Sequence, residues 1–189
     1  MKIKEVNPNT SKGSYGKSLN LARLWSLYNL KKVKTDFDTI YILGSWYGNI
    51  SIMFHLLRKY FNFNKIINVE TDKEKLNAGD EIIKKLKIDN IESMYKDANK
   101  LDYRQLGKNG LVVCFSCTNI KGNDWFARIP YGTTVMLQAR DNDPNATNQY
   151  KNFEEFYDAF PMNKTLLIDE IVLTDPETKY NCWLIIGQK

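Results

Sequence analysis

The sequence holds one histidine, His55, and three cysteines, Cys114, Cys117 and Cys182, in 189 residues. A lone imidazole, read as part of a helix surface or core, excludes any catalytic set that needs a histidine elsewhere. Three thiols cannot all pair, so a disulfide scaffold is excluded and a reducing, cytoplasmic compartment is expected. No apolar run approaches the about 20 residues that a membrane-spanning helix needs, so no membrane partner is expected. The opening "MKIKEVNPNTSKGSYGKS" has lysines but no apolar segment after them, which argues against a secretory signal. Internal repeats, low-complexity tracts and Pro/Gly-rich linkers are also missing. Within that opening, "GSYGKS" has only two residues between its glycines and no strand before it, so it is not a phosphate-cradling P-loop.

Negative charge is in deficit: 27 Lys and Arg stand against 22 Asp and Glu, a net +5. The lysines are scattered (Lys31, Lys32, Lys34; Lys84, Lys85, Lys87) and read as solvated faces. RNA stays open as a second class of partner, one that would use this excess. With 43% apolar and 26% charged residues, the chain buries an ordinary core.

Along the chain, "SLNLARLWSLYNLKK" (18–32) puts Leu21, Leu24, Trp25 and Tyr28 on one face of an amphipathic helix. "TIYILG" reads as a buried strand, and a helix with Ile50, Phe54 and Leu57 inward follows. "KIINVE" is the second strand, and Asp72 caps the helix after it. "IESMYKD" is the third strand, "LDYRQL" a short helix and "GLVVCFSC" the fourth strand. "NDWFARI" is helical, "TTVMLQA" is the fifth strand, and "NFEEFYDAF" is helical. "TLLIDEIVLT" and "YNCWLIIGQK" are separated by only "DPETK", too short for a crossover, and so form an antiparallel hairpin. The pattern predicts an α/β fold: a Rossmann-like, doubly wound, seven-stranded sheet, mostly parallel, with a C-terminal antiparallel hairpin.

In such a sheet, ligands sit beyond the carboxyl ends of the strands, over the first strand–helix turn. There, Gly44-Ser45-Trp46-Tyr47-Gly48 forms a glycine turn that leads into a helix N-terminus with free N–H groups. Glu70, which ends the second strand beside Thr71, is placed to accept both hydroxyls of a ribose. Asp97 is placed to accept from an adenine amino group, with the Ala98 backbone beside it.

Together these residues resemble the class I S-adenosylmethionine-dependent methyltransferases over about residues 38–189. "YILGSWYG" stands at that family's glycine loop, "INVETD" at its ribose-binding acid, "KDAN" at its adenine segment and "VVCFSC" at its fourth strand. The chain is also similar to small stand-alone proteins of this type from phages and bacteria. It departs from the family pattern at Ile42, where an acid is usual, and at Trp46, where a middle glycine is usual.

The resemblance implies S-adenosyl-L-methionine as cofactor and methyl transfer to a small amine, hydroxyl or planar acceptor. It implies cofactor contacts from the Gly44–Gly48 loop, Glu70, Thr71, Asp97, Ala98 and Ser116. Asn119 and Asp124 are the candidate catalytic residues, Asp124 as base. Trp125, Tyr15 and Arg140 are the candidate substrate residues. Residues 1–37 are expected to carry a lid helix over the cofactor mouth, and 38–189 to form the methyltransferase-like domain.

The Asn/Asp-Pro-Pro-aromatic tetrad of DNA amino-methylating enzymes is absent. No Pro-Cys pair makes Cys117 a nucleophile, so it reads as a buried thiol. Asp141 and Asp143 read as part of an Asp-Pro turn, and no metal is expected. Three other readings stand beside the first: RNA methylation, a non-catalytic cofactor-binding scaffold, and a nicotinamide enzyme. The terminal hairpin argues against the last.

Overall fold

In the computed structural model, which describes residues 17–141, 143, 146–174 and 179–189, strand and helix alternate from Asp36 onward. Helix α1 spans Lys17–Val33, β1 Asp36–Leu43, α2 Asn49–Leu56, β2 Asn62–Glu70 and α3 Lys73–Lys85. Strand β3 spans Ile91–Tyr95, followed by a 3-10 turn at Ala98–Lys100 and by β4 at Leu111–Cys114. The short helix α4 (Asp124–Ala127) leads to β5 (Thr134–Arg140), and α5 (Phe153–Asp158) leads to β6 (Lys164–Thr174) and β7 (Lys179–Gln188).

The seven strands make one sheet in the order β3-β2-β1-β4-β5-β7-β6. Strands β1 to β5 pair in parallel, while β7 runs antiparallel to both β5 and β6. The predicted sheet and hairpin are thus both present. The strand order reverses between β1 and β4, and there the carboxyl ends of neighbouring strands splay apart to leave a crevice.

The central strands are apolar on both faces because both are covered. Tyr41 and Leu43 point into a cluster with Trp125, Phe126, Phe156 and Phe160, whereas Ile40 and Ile42 point into one with Leu30 and Phe54. Asp72 caps α3 as expected, its side chain accepting from the backbone N–H groups of Glu74 and Lys75. Asn152 caps α5 in the same way.

Two expectations about secondary structure fail. "LDYRQL" is a turn, not a helix. Helix α1 also buries the face opposite to the one predicted. Leu21, Leu24 and Tyr28 are exposed and only Trp25 of the predicted face packs, partly buried, against the core, while Ala22, Ser26, Leu27, Asn29 and Leu30 are buried. The reason is polar: Gln138 on β5 donates to the Ser26 hydroxyl at 2.8 Å, and Asp169 on β6 accepts from Asn29 at 2.8 Å and Trp25 at 3.1 Å. The body of α1 is therefore a layer of the fold. Its first turns bring Leu19 and Arg23 to a cavity beside the glycine loop.

Candidate functional site

Strand β1 lies between β2 and β4, with Leu43 in register with Val69 and Cys114, so the turns that follow these strands share one crevice. The chain leaves β1 at Gly44 in the left-handed region, φ +62°. A Cβ there would lie 2.8 Å from the Cβ of Ser116, so both conformation and space call for glycine. The Ser116 hydroxyl donates to the Gly44 carbonyl at 3.2 Å and ties the turn after β4 to the turn after β1. Ser45 donates its N–H to the Val69 carbonyl, and Gly48 closes the loop by donating to Ser45.

Trp46, at the middle of this loop, is also left-handed, with φ 52°. An aromatic L-residue rarely adopts this conformation, because its Cβ crowds the following carbonyl. The Glu70 carboxylate holds it there. Oε2 accepts from the Trp46 N–H at 2.9 Å, while Oε1 accepts from the N–H groups of Thr71 at 2.8 Å and Asp72 at 3.0 Å. Ile42, where an acid is usual, is buried in the core with Ile66 and Val113. The acid at the end of β2 supplies the loop brace that position 42 does not.

A carboxylate offers about four lone-pair sites. Three backbone donors occupy three of those on Glu70, which leaves Oε2 capacity for one further hydroxyl rather than the expected two.

Around this brace lies an open cleft of about 740 Å³, lined by Gly44, Trp46, Glu70, Thr71, Asp97, Ala98, Ser116 and Asn119, among others. That volume lies within the roughly 300–1,000 Å³ usual for sites that take a cofactor-sized molecule. Asp97 is partly committed, because Oδ1 caps the 3-10 turn by accepting from the Asn99 N–H at 2.9 Å. Lys75, Lys96 and Lys121 also line the cleft. The Lys75 ammonium lies 2.8 Å from Asp72 and 5.6 Å from the Trp46 ring. Its pKa is raised, mainly by the Asp72 carboxylate and further by Glu70, while Lys75 in turn lowers that of Asp72.

A second, more enclosed cavity of about 60 Å³ adjoins the first, and Gly44, Trp46, Ser116 and Asn119 line both. Ser45 and Arg23 line the smaller one and not the larger, while Arg140 lines the smaller one and a third, open space of about 560 Å³ on its other side. Arg140 donates to Asp143 at 3.0 Å and lies 5.3 Å from the Tyr180 ring centre. Asp143 also accepts from the Thr118 hydroxyl at 3.1 Å.

Several predicted site residues lie elsewhere. Trp125 is fully buried, packed between Phe126 and Phe160, and cannot stack against a substrate. Asp124 is exposed at the start of α4 and lines neither cavity, so it is badly placed as a base. Tyr47 and Gly48 shape the loop without lining either space. Tyr15 lies outside the described residues. Asp141 is engaged by the N–H and side chain of Asn181 at 2.8 and 2.7 Å. Cys117 is buried, its thiol pKa raised by desolvation.

Two supports of the loop are not readable from the motif alone. Gly79 on α3 packs against the backbone of Tyr47, where a Cβ would approach the carbonyl carbon to 2.9 Å. The signal was there: a glycine inside a helical pattern usually has a packing reason. Asn68, buried on β2, donates to Ser51 at 3.1 Å, and Ser51 donates to the Gly48 carbonyl at 2.7 Å.

No family model matches the sequence, and no curated protein matches it. Its structure is similar to solved ones. The N-methyltransferase NodS from Bradyrhizobium japonicum, in complex with S-adenosyl-L-homocysteine, superposes with a TM-score of 0.70 at 8% identity, over 97% of this chain and 93% of that one. Geranyl diphosphate C-methyltransferase from Streptomyces coelicolor, also with S-adenosyl-L-homocysteine, gives 0.66 at 11% identity, over 97% and 86%. YcgJ from Bacillus subtilis gives 0.69 at 11% identity, over 88% and 98%. With the strand order, the C-terminal hairpin and the crevice over β1, these likenesses establish that the chain has the fold of the class I S-adenosylmethionine-dependent methyltransferases.

Proposed function

We propose that this protein binds S-adenosylmethionine in the larger cleft and transfers its methyl group to a small acceptor in the smaller cavity. The observation that carries this reading is the shared wall: Gly44, Trp46, Ser116 and Asn119 border both spaces, so two ligands would meet there. The S-adenosyl-L-homocysteine bound to NodS and to the geranyl diphosphate enzyme supports the choice of cofactor. Small-molecule acceptors are supported by the geranyl diphosphate enzyme and by a phosphoethanolamine N-methyltransferase from Haemonchus contortus with its phosphomonomethylethanolamine ligand.

In this reading, the Gly44–Trp46 turn, Glu70, Asp97 and Ala98 hold the adenosine part. When bound, S-adenosylmethionine supplies an electrophilic methyl carbon: the acceptor's lone pair takes it, and the C–S bonding pair stays on sulfur as a neutral thioether. The protein's share is alignment, because methyl transfer needs an in-line approach. In the same reading Asn119, which borders both spaces, orients the acceptor through its side-chain amide.

Among the described residues, the single carboxylate lining the smaller cavity is Asp143, which is bonded to Arg140 and Thr118. With no other acid among the described lining residues, the site suits an acceptor whose lone pair is free at neutral pH. An amine of low basicity, such as an aromatic amine, fits better than a hydroxyl or an alkylammonium, and its surplus proton leaves to water after transfer. The scarcity of acids also supports the non-catalytic alternative, a cofactor-binding scaffold.

Calorimetry with S-adenosylmethionine, S-adenosyl-L-homocysteine and NAD in parallel tests the proposal. Binding of the first two without NAD supports it, and turnover on a panel of small amines then separates enzyme from scaffold. NAD binding alone, or no binding, refutes it.

A further inference from the structure

The smaller cavity has a chemical character of its own. Arg140, at the end of β5, keeps about a quarter of its side chain exposed, held by Asp143 on one side and the Tyr180 ring on another. Among the described residues its guanidinium donates only through Nη2, although the group carries five N–H donors. Arg23 reaches the same cavity from α1. Two arginines, Arg140 and Arg23 (the latter donating through Nη1 to Asn20 at 3.0 Å), therefore line a space whose described lining includes one carboxylate.

A third group is neutral. The Ser45 hydroxyl is buried and has no hydrogen-bond partner among the described residues, although it lines this cavity. A buried polar atom left alone is uncommon and points to a partner absent from the bare chain. The rest of the wall mixes apolar residues, including Leu19, Ile50 and Phe115, with neutral polar ones, including Asn49, Asn119 and Gln138, and an enclosed site strengthens an ionic contact relative to bulk water. The volume of about 60 Å³ is small. At the roughly 10–15 Å³ that one water needs, it holds about four to six waters, the bulk of a carboxylate or phosphate group rather than of a ring.

We propose that the methyl acceptor carries an anionic group, a carboxylate or a phosphate, which seats in this cavity on Arg140 and Arg23 with the Ser45 hydroxyl as a third donor. The planar fork of Arg140 suits either anion, because it can donate two parallel bonds. This inference rests on the methyltransferase reading for the word acceptor, but the anion site stands on its own residues.

The test titrates acetate, inorganic phosphate and neutral acetamide into the protein, with and without saturating S-adenosyl-L-homocysteine. The anion site predicts that acetate or phosphate binds and acetamide does not, and the stronger anion identifies the acceptor's charged group. Arg140→Gln is expected to weaken that binding by about tenfold or more, the usual scale for a hydrogen bond to a charged group. The same variant should leave S-adenosyl-L-homocysteine affinity unchanged, since Arg140 does not line the larger cleft. Arg23→Gln, on a different element, repeats the test if Arg140→Gln fails to fold. Equal binding of acetamide and both anions, or anion binding that both variants retain in full, overturns the proposal. Anion binding without any binding of S-adenosyl-L-homocysteine keeps the anion site and overturns the cofactor reading instead.

Discussion

The Glu70 carboxylate accepts a hydrogen bond from the backbone N–H of Trp46 at 2.9 Å, across the space between the ends of β1 and β2. One side chain thereby holds a left-handed aromatic residue in place and still borders the cleft. The glycine loop owes its shape to this contact, and its chemistry can be probed there.

Replacing Glu70 with glutamine leaves one acceptor oxygen where two were in use. Either Trp46 or the Thr71–Asp72 pair then loses its partner. A lost bond to a charged group costs about 1.5–3 kcal/mol. Urea unfolding of Glu70→Gln without any ligand should show a loss of that order. A purely ribose-binding Glu70 would leave the ligand-free stability unchanged.

Gly79→Ala sets two effects against each other. Alanine gains about 1 kcal/mol of helix propensity over glycine. Its Cβ would meet the Tyr47 backbone at 2.9 Å, and overpacking of this kind costs roughly 1–3 kcal/mol. The clash is with backbone, which cannot rotate away, so a net loss in unfolding midpoint is expected. A gain would mean that the loop and α3 do not pack this closely.

Trp46 separates strain from ring chemistry. Glycine at position 46 removes left-handed strain of about 1–2 kcal/mol but adds an ordering cost of about 0.5–1 kcal/mol. Trp46→Gly should therefore stay near wild-type stability, whereas Trp46→Ala keeps the strain and loses the ring. An aromatic face attracts a nearby cation by about 0.5–2 kcal/mol, so both variants should shrink any preference for S-adenosylmethionine over its neutral product. An unchanged affinity ratio would make the ring a packing element only.

Alkaline pH should weaken the fold through its buried thiols. Desolvation pushes Cys182 up to about 12 from an ordinary 9.0 and raises Cys117 as well. A folded-state pKa above the unfolded one gives stability that is full below about pH 9 and is lost as pH rises toward 12. The slope approaches about 1.4 kcal/mol per pH unit for each proton released on unfolding. Unfolding free energies measured from pH 8 to 11 should fall, and Cys182→Ala should fall less steeply.

The local signals were legible. Strand–glycine–helix at Gly44, the Asp72 cap and the short "DPETK" connection each specify geometry within a few residues, and from them the sheet and its hairpin follow. What escaped depends on partners far along the chain. The apolar stripe Leu21, Leu24 and Tyr28 suggested the wrong buried face of α1, because the true face is chosen by Gln138 and Asp169, more than 100 residues away. Trp125 is a candidate substrate residue by its place after the fourth strand, yet Phe126 and Phe160 enclose it. Glu70 was read as a ligand contact, but its first engagement is with Trp46, which no spacing rule relates to it.

The central claim is that the space bounded by Gly44, Trp46, Glu70 and Asp97 holds an S-adenosyl group. Amide nuclear magnetic resonance spectra recorded during titration with S-adenosyl-L-homocysteine test it most directly. The account predicts saturable shifts concentrated at residues 44–48, 70–72 and 97–99, with the Trp46 amide among the largest. No saturable shift, or shifts centred away from these three segments, would contradict it.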